Sequence, residues 1–223
     1  MVFDWRGTLV TTLTGAERAE HALARAGLQQ DEAAVAEVVD RLRTVQARLD
    51  DPLVDVDARM HRAHLMSAFA DAGVEDDLAL ALYDVESDTT LNRFARDAAP
   101  TVAALKERGL RVGVLSDIHL DVRPAFEAAG LSGLVDSFTL SFEHGAVKPD
   151  PALFAIALAA LGTTPDRTLM VGDRSGPDGG AVEAGITTLL LPPLRSVDDQ
   201  RLDRVLDLCP AVANRDDAVI TSA

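Results

Sequence analysis

MVFDWRGTL, residues 1–9, has the pattern that decides the fold, because a short apolar run gives way at once to polar and glycine-containing turn residues. The same pattern occurs in RVGVLSD at 111–117, in TLMVGD at 168–173 and in TTLLLPP at 187–193. Short apolar runs bounded by turn residues are typical of strands that are buried on both faces of a parallel sheet. The sequence therefore predicts four such strands.

Helical patterns lie between these strands and fill the segment after the first one. Residues 100–108 and 151–161 each begin with proline and end before glycine, as helices often do. Residues 13–95 lack convincing strands, and apolar residues from Val35 to Leu49 recur on one helical face. We therefore predict an α/β fold with a doubly wound, Rossmann-like parallel sheet core (1–12 and 96–223) and an inserted all-helical cap (13–95).

The predicted cap begins with Thr14 and Glu17 at the spacing of a capping box, so we expect a helix that ends near Gly27. The segment also has a local excess of basic residues. Two interpretations are open for them, the solvated face of helices or a surface that captures an anionic substrate. These residues are Arg41, Arg43, Arg48, Arg59, His61, Arg62 and His64.

Composition and charge exclude several classes of protein. The chain has 223 residues, of which 48% are hydrophobic, so it is not a disordered chain. Its net charge of −15 argues against nucleic acid as a partner, because a polyanion would be repelled. No apolar run reaches the roughly 18 residues that a membrane span needs, and no segment resembles a signal peptide. Cys209 is the only cysteine, which fits a reducing cytoplasm. We expect a monomer or a homodimer.

Polar side chains follow the predicted strands at their carboxyl ends, where parallel sheets bind ligands. They are Asp4, Ser116, Lys148, Asp173 and Asp178. Three close carboxylates repel one another, so Asp4, Asp173 and Asp178 favour a hard divalent cation such as Mg²⁺. Together with Lys148 and the Ser116 hydroxyl, such a group suits a phosphate, which a carboxylate is able to attack to form an acyl-phosphate.

The order of these motifs resembles that of the haloacid dehalogenase-like superfamily of hydrolases across nearly the whole chain. The family's nucleophile motif, Asp-x-Asp-Gly-Thr-Leu, looks like residues 4–9, and its acidic motif, Gly-Asp-x-x-x-x-Asp, looks like residues 172–178. Ser116 and Lys148 stand where the family has its Ser/Thr and lysine motifs. The helical segment resembles the small cap of the phosphoglycolate phosphatase and 2-haloacid dehalogenase branch.

The resemblance implies a metal site and a phosphate site. Asp4 would be the nucleophile and would hold Mg²⁺ together with the backbone carbonyl of Arg6 and Asp173, while Asp178 would bind it directly or through water. Ser116 and Lys148 would serve catalysis by binding the phosphate of a small anionic substrate. Thr8 would support the phosphate-binding loop, and Asp117 is either a turn residue or a further contact to the phosphate.

Arg6 departs from the family pattern. In family phosphatases this position is an aspartate, which protonates the leaving oxygen and then activates the attacking water. Arginine is unable to do this, because its pKa lies above ~12. General acid–base help contributes about 10²–10⁴ in rate. Arg6 therefore either binds a substrate carboxylate or phosphate through its planar fork or silences the site.

Three functions remain open from the sequence. The first is a Mg²⁺-dependent hydrolase of a small phosphorylated metabolite, the second a catalytically impaired binding or regulatory protein, and the third a dehalogenase-type hydrolase. The third is the weakest, because dehalogenases need no metal whereas this chain has both Asp173 and Asp178. Trp5 either lines the cap interface or packs in the core, and His119 and His144 either flank the site or lie on surface loops.

Overall fold

A computed structural model describes residues 1–209, without the side chains of residues 52 and 53, so the end of the predicted core segment, 210–223, lies outside the described residues. Five parallel strands form one sheet in the order β3-β2-β1-β4-β5. The strands are β1 (Val2–Phe3), β2 (Gly113–Ser116), β3 (Ser137–Leu140), β4 (Leu169–Gly172) and β5 (Thr187–Leu190). The α-helices are α1 (Gly15–Arg25), α2 (Glu32–Arg43), α3 (Gln46–Leu49), α4 (Ala58–Asp71), α5 (Asp76–Glu86), α6 (Ala98–Glu107), α7 (Arg123–Ala128), α8 (Ser141–His144), α9 (Pro151–Leu161) and α10 (Asp203–Leu208).

The sheet places the first strand at its centre. Val2 is in register with Gly113 of β2 and with Met170 of β4. Successive residues of a strand point to opposite faces. Phe3 packs in a core on one face, and Val2 and Met170 pack in a second core on the other. The carboxyl end of β1 is therefore flanked by the ends of β2 and β4.

The strand prediction is correct for four strands and wrong in two respects. β3 was not predicted, because its sequence SFTL alternates polar and apolar residues and contains no long apolar run. β5 was expected to be buried on both faces, but it is an edge strand, and Thr187 and Leu190 are exposed. Helix α9 has the predicted bounds, whereas α6 begins at Ala98, two residues before the predicted start.

Helices α1–α5 follow the first strand and have an apolar core of their own. Thr14 and Glu17 make the predicted capping box at the start of α1. Leu23, Val38, Phe69 and Leu82 from four of these helices pack together. The helical face expected to run on to Leu49 is interrupted, because α2 ends at Arg43 and α3 begins only at Gln46. The α/β sheet with an inserted helical cap is thus confirmed, while the boundaries at 13 and 95 stay a prediction.

The two chain segments that enter and leave the inserted helices run side by side. Val10 and Phe94 form an antiparallel bridge, and the Thr11 N–H donates to the Arg93 carbonyl at 2.9 Å. Trp5 is fully buried beside them, with its ring centroid 5.2 Å from that of Phe94. Trp5 therefore packs in the core. Among residues 1–209, no helix is both long and apolar enough to span a bilayer.

Candidate active site

Lys148 lies at the centre of a charged cluster at the carboxyl edge of the sheet. Its ammonium nitrogen Nζ is 2.6 Å from Asp4 Oδ1, 2.6 Å from Asp178 Oδ1 and 3.3 Å from the Leu115 carbonyl. All three residues that carry the charges are at most 2% exposed. An ammonium has three protons to donate, and these three acceptors use them all. A phosphate that binds Lys148 has to replace one of them.

Asp178 is a fully hydrogen-bonded carboxylate. Its Oδ1 accepts from Lys148, and its Oδ2 accepts the backbone N–H groups of Asp173 and Arg174 at 3.1 and 2.9 Å. A Cβ at Gly172 would collide with the Asp178 side chain, so this position requires glycine. Asp178 therefore fixes both Lys148 and the loop after β4.

Thr8 and Gly7 bring the loop after β1 against Asp173. The Thr8 hydroxyl lies 3.3 Å from Asp4 Oδ2 and 3.2 Å from Asp173 Oδ1. Gly7 has φ of +82°, and a Cβ there would lie 2.5 Å from Asp173 Oδ2. Arg201, which the sequence did not single out, donates to the Thr8 carbonyl at 2.6 Å and to the Gly7 carbonyl at 3.3 Å. These contacts hold the loop close to Asp173.

The three carboxylates predicted to bind metal lie together. One oxygen from each of Asp4, Asp173 and Asp178 lies within 4.8 Å of the other two. Burial raises the pKa of Asp4 to about 6 against the opposing effect of Lys148, and burial and Asp178 raise the pKa of Asp173. Burial disfavours the charged form of both carboxylates, and a cation bound between them would offset this effect. A hard, oxygen-binding cation such as Mg²⁺ fits this donor set.

Ser116 and Asp117 stand at the end of β2. Ser116 is buried and lines the same cavity as Asp4. Asp117 accepts the Lys148 backbone N–H at 2.8 Å through Oδ1 and the Arg174 guanidinium at 3.1 Å through Oδ2. Burial raises the pKa of Asp117. Asp117 therefore braces the segment that carries Lys148, and both of its oxygens are already bonded.

Arg6 directs its guanidinium at the inserted helices. It pairs with the Glu86 carboxylate, donates to the Glu86 carbonyl at 2.7 Å and donates to Asn92 Oδ1 at 3.2 Å. Arg18 lies 3.2 Å from the other oxygen of Glu86. Burial would raise the pKa of Glu86, but Arg6 and Arg18 outweigh it and lower that pKa to about 2. The guanidinium thus holds α5, and the two roles expected for Arg6, binding substrate or silencing the site, stay predictions. Nothing in the local sequence around Glu86 indicates this pairing, because the partners are 80 residues apart.

A cavity of about 410 Å³ lies between the sheet edge and the inserted helices. Asp4, Ser116 and Asp173 line its sheet side. Its helical side combines apolar side chains, such as Leu65 and Phe69, with charged ones, such as Arg18 and Asp55. The cavity opens directly onto Asp4 and is therefore the candidate substrate-binding cavity.

Most of the basic residues in the helical segment do not reach this cavity. Of the seven, His61 alone is among the described residues that line it. Arg41, Arg43 and Arg48 form surface ion pairs with Glu37, Asp40 and Asp71. For these three arginines the solvated-face interpretation is therefore correct.

The histidines differ in exposure, which bears on the alternatives that the sequence left open for them. His61 and His119 are 4% and 3% exposed, so neither lies on a surface. His144, in contrast, is exposed at the end of α8.

Comparison with known proteins adds a family and a set of structural neighbours. A family model for haloacid dehalogenase-like hydrolases matches residues 1–184. A phosphoserine phosphatase from Thermus thermophilus is 37% identical over 92 residues, which are 40% of this chain and 37% of that protein. A HAD phosphatase structure from Thermococcus onnurineus has a TM-score of 0.63 at 20% identity, covering 94% of this chain and 97% of that one. A 2-haloacid dehalogenase structure from Pseudomonas syringae has a TM-score of 0.62 at 23% identity, covering 93% and 96%.

These likenesses differ in what they support. The matched stretch spans less than half the length of the curated relatives, between 37% and 45% for the first two. The structural neighbours share the fold, and they include both a phosphatase and a dehalogenase. The reaction therefore has to be argued from the site itself.

Proposed function

Because the chain belongs to the haloacid dehalogenase-like hydrolase family, we propose that it is a Mg²⁺-dependent phosphatase that hydrolyses a small phosphorylated metabolite through an aspartyl-phosphate on Asp4. The observation that carries this proposal is the cluster in which buried Lys148 lies 2.6 Å from both Asp4 and Asp178. The ammonium keeps Asp4 charged and oriented within a cavity of about 410 Å³, which suits a small substrate. The relatives named phosphoserine phosphatase and HAD phosphatase are consistent with a phosphate ester.

The carboxylates define how a cation would be held. Asp4 and Asp173 would bind Mg²⁺ directly with the backbone carbonyl of Arg6. Asp178 would contact it through water, because each of its oxygens already accepts a hydrogen bond. When bound, Mg²⁺ would offset the negative charge on the oxygens of the transferring phosphoryl group.

The chain's own residues carry two steps. In the first, an oxygen of Asp4 forms a bond to phosphorus while the bond from phosphorus to the leaving oxygen breaks. Ser116 and Lys148 hold the phosphoryl oxygens during this transfer. In the second, water forms a bond to phosphorus, the bond to Asp4 breaks, and inorganic phosphate leaves.

Arg6 takes no part in the proton transfers of these steps. Its guanidinium has no acceptor atom and is bound to Glu86 and Asn92. The leaving oxygen therefore takes its proton from solvent, and the attacking water gives its proton back to solvent. Turnover is consequently slow, and the aspartyl-phosphate persists on Asp4.

A second candidate is a binding or regulatory protein with the same fold. The engagement of Arg6 with Glu86 favours it, because the position that family phosphatases use for acid–base chemistry serves here to hold a helix. Such a protein would bind a phosphorylated ligand and Mg²⁺ without turnover.

A panel assay separates these candidates. The full chain is incubated with para-nitrophenyl phosphate and a set of small phosphorylated metabolites, with and without Mg²⁺, and released phosphate is measured. The proposal predicts Mg²⁺-dependent release that Asp4→Asn abolishes and that Asp166→Asn, a change at an exposed aspartate, preserves. Phosphate binding without release supports the second candidate. Chloride release from a 2-haloacid without metal supports a dehalogenase instead.

A further inference from the structure

A second cluster of ligand-type side chains lies where the inserted helices meet the sheet. It consists of Asp55, which precedes α4, His61 in the first turn of α4, and His119 in the loop after β2. One ligand atom from each lies within 4.8 Å of the other two. Neither the carboxylate cluster around Asp4 nor the proposed phosphatase reaction uses any of the three.

The spacing of these groups does not suit direct hydrogen bonds. His61 Nε2 lies 3.7 Å and His119 Nδ1 3.6 Å from the same oxygen, Asp55 Oδ1. Both distances exceed the usual range for a hydrogen bond, about 2.7–3.2 Å. Two ligands that are each about 2.0–2.1 Å from one ion are separated by about 3.4–3.6 Å when the angle between them is roughly 110–120°. The observed distances therefore approach those around a shared ion.

Neighbouring residues hold the cluster in place. The Ser87 hydroxyl is 3.0 Å from His119 Nε2, which leaves Nδ1 of that ring directed at Asp55. A hydrogen bond at the far nitrogen is how ligating histidines are usually oriented. Ser141 donates to the Asp55 carbonyl and accepts the Ile118 N–H, both at 2.7 Å. It thereby ties the backbones on either side of the cluster together.

His61 is a buried imidazole with incomplete hydrogen bonding. Its side chain is 5% exposed, and its Nδ1 is buried without a hydrogen-bond partner among the described residues. The other ring nitrogen, Nε2, faces Asp55 Oδ1 at 3.7 Å. His61 is thus a buried imidazole that hydrogen bonds within the described residues do not fully satisfy.

We propose that Asp55, His61 and His119 form a second metal site, which binds a divalent transition ion such as Zn²⁺. Two imidazole nitrogens and one carboxylate oxygen suit this class of ion, whereas the all-oxygen set around Asp4 suits Mg²⁺. The two rings are stacked, with centroids 3.4 Å apart and planes at 8°. Binding would require the His61 ring to turn out of this stack, while the Ser87 hydroxyl keeps His119 oriented.

The position of this site gives it two consequences. Asp55 and His61 line the cavity that contains Asp4, so an ion held by them would border the substrate space. His119 belongs to the loop after β2, and the other two ligands belong to the inserted segment. A bound ion thus links α4 to the loop after β2.

Metal binding to the full-length protein tests the site without relying on turnover. Metal-free protein is titrated with Co²⁺ as a spectroscopic probe and with Zn²⁺ by calorimetry, in excess Mg²⁺ to fill the carboxylate cluster. We expect one equivalent of Zn²⁺, and with Co²⁺ the visible absorption of an imidazole-bound ion. His61→Gln and His119→Gln should each abolish both signals, while Ser87→Ala should weaken binding about 10–100-fold.

Two controls isolate the cluster. Asp173→Asn removes a proposed Mg²⁺ ligand and His144→Gln removes an exposed histidine, and both should bind Zn²⁺ like the wild type. Circular dichroism and thermal melting establish that each variant is folded, and His119→Gln and Ser87→Ala give independent readings if His61→Gln does not fold. Equal Zn²⁺ binding by wild type and the folded His119→Gln variant, or no binding by wild type, overturns the proposal. If the wild type binds Zn²⁺ but shows no phosphatase activity, the second metal site is supported and only the proposed reaction is contradicted.

Discussion

At the scale of a single residue, Lys148 offsets the negative charge of the buried carboxylates in the site. It lies between two buried carboxylates, and among residues 1–209 no other charged side chain forms an ion pair with either of them. Lys148→Met should lower the free energy of unfolding in the absence of Mg²⁺ by about 3–5 kcal/mol, the usual effect of leaving a buried charge unpaired. Urea denaturation measures this change.

The other lysine of the chain supplies a matched control. Lys106 pairs with Asp136 near the surface, where its side chain is 27% exposed. Lys106→Met should therefore change the free energy of unfolding by less than about 1 kcal/mol. Adding Asp178→Asn to Lys148→Met should restore part of the lost stability. If the free energy of unfolding of Lys148→Met lies within about 1 kcal/mol of the wild-type value, the stability of the cluster does not depend on the ammonium.

Arg6 decides how fast the proposed reaction runs. Arg6→Asp should raise turnover of a phosphate ester about 10-fold or more, because it restores a group able to exchange a proton beside the leaving oxygen. Rates are compared at saturating Mg²⁺, since the added carboxylate also strengthens metal binding. Arg6→Gln is the control, because it breaks the same contacts with Glu86 but supplies no acid. A turnover for Arg6→Asp no higher than that for Arg6→Gln contradicts this explanation.

At the scale of elements, Glu86 joins α5 to the loop after β1 and to α1 through Arg6 and Arg18. Its pKa is lowered from 4.5 to about 2. The stabilisation is therefore fully present above pH 4.5 and is lost as the pH falls towards about 2. The shift corresponds to about 3 kcal/mol at most. The free energy of unfolding of wild type should decline more steeply over this range than that of Glu86→Gln. Parallel pH profiles for the two proteins would show that the ion pair is not stabilising.

The elements also show what local sequence is able to predict. Apolar runs and proline or glycine boundaries predicted four strands and α9, since those signals depend on neighbouring residues. β3 was not predicted because Ser137 and Thr139 alternate with Phe138 and Leu140, and this alternation is the weaker pattern of a partly exposed strand. The expected continuous helical face past Arg43 failed because periodicity persists across a short break in a helix.

The same limit applies to the candidate site. Asp4, Asp173 and Asp178 were predictable to lie together, because the predicted parallel strands before them end at one edge. Lys148 follows β3, which was not predicted, and its place in the site was implied by the resemblance of its motif. The contacts of Arg6 with Glu86 and of Arg201 with Thr8 were not predictable, because they join residues 80 and 193 positions apart. That His61 and His119 lie together was not predicted, for the same reason. Their stacking depends on how the inserted helices sit on the sheet.

At the scale of the whole molecule, a cation at the sheet edge should stabilise the fold. A ligand that binds only the folded state adds about 2.7 kcal/mol at a concentration 100 times its Kd. For a chain of this size, each kcal/mol raises Tm by about 2–4 °C. Mg²⁺ should therefore raise the Tm of wild type by several degrees and that of Asp173→Asn by much less. Asp166→Asn should respond like wild type, and a Tm insensitive to Mg²⁺ in all three proteins would speak against the metal site.

The central claim, that Asp4 is the nucleophile of a Mg²⁺-dependent phosphoryl transfer, is tested most directly by trapping the aspartyl-phosphate. The protein is mixed with para-nitrophenyl phosphate and Mg²⁺, quenched in acid and mapped by peptide mass spectrometry. With Arg6 unable to activate water, we predict one phosphoryl group on the peptide that contains Asp4, its loss without Mg²⁺ and its absence in Asp4→Asn. Phosphate release that continues in Asp4→Asn, or a phosphoryl group found on another residue, would contradict the account.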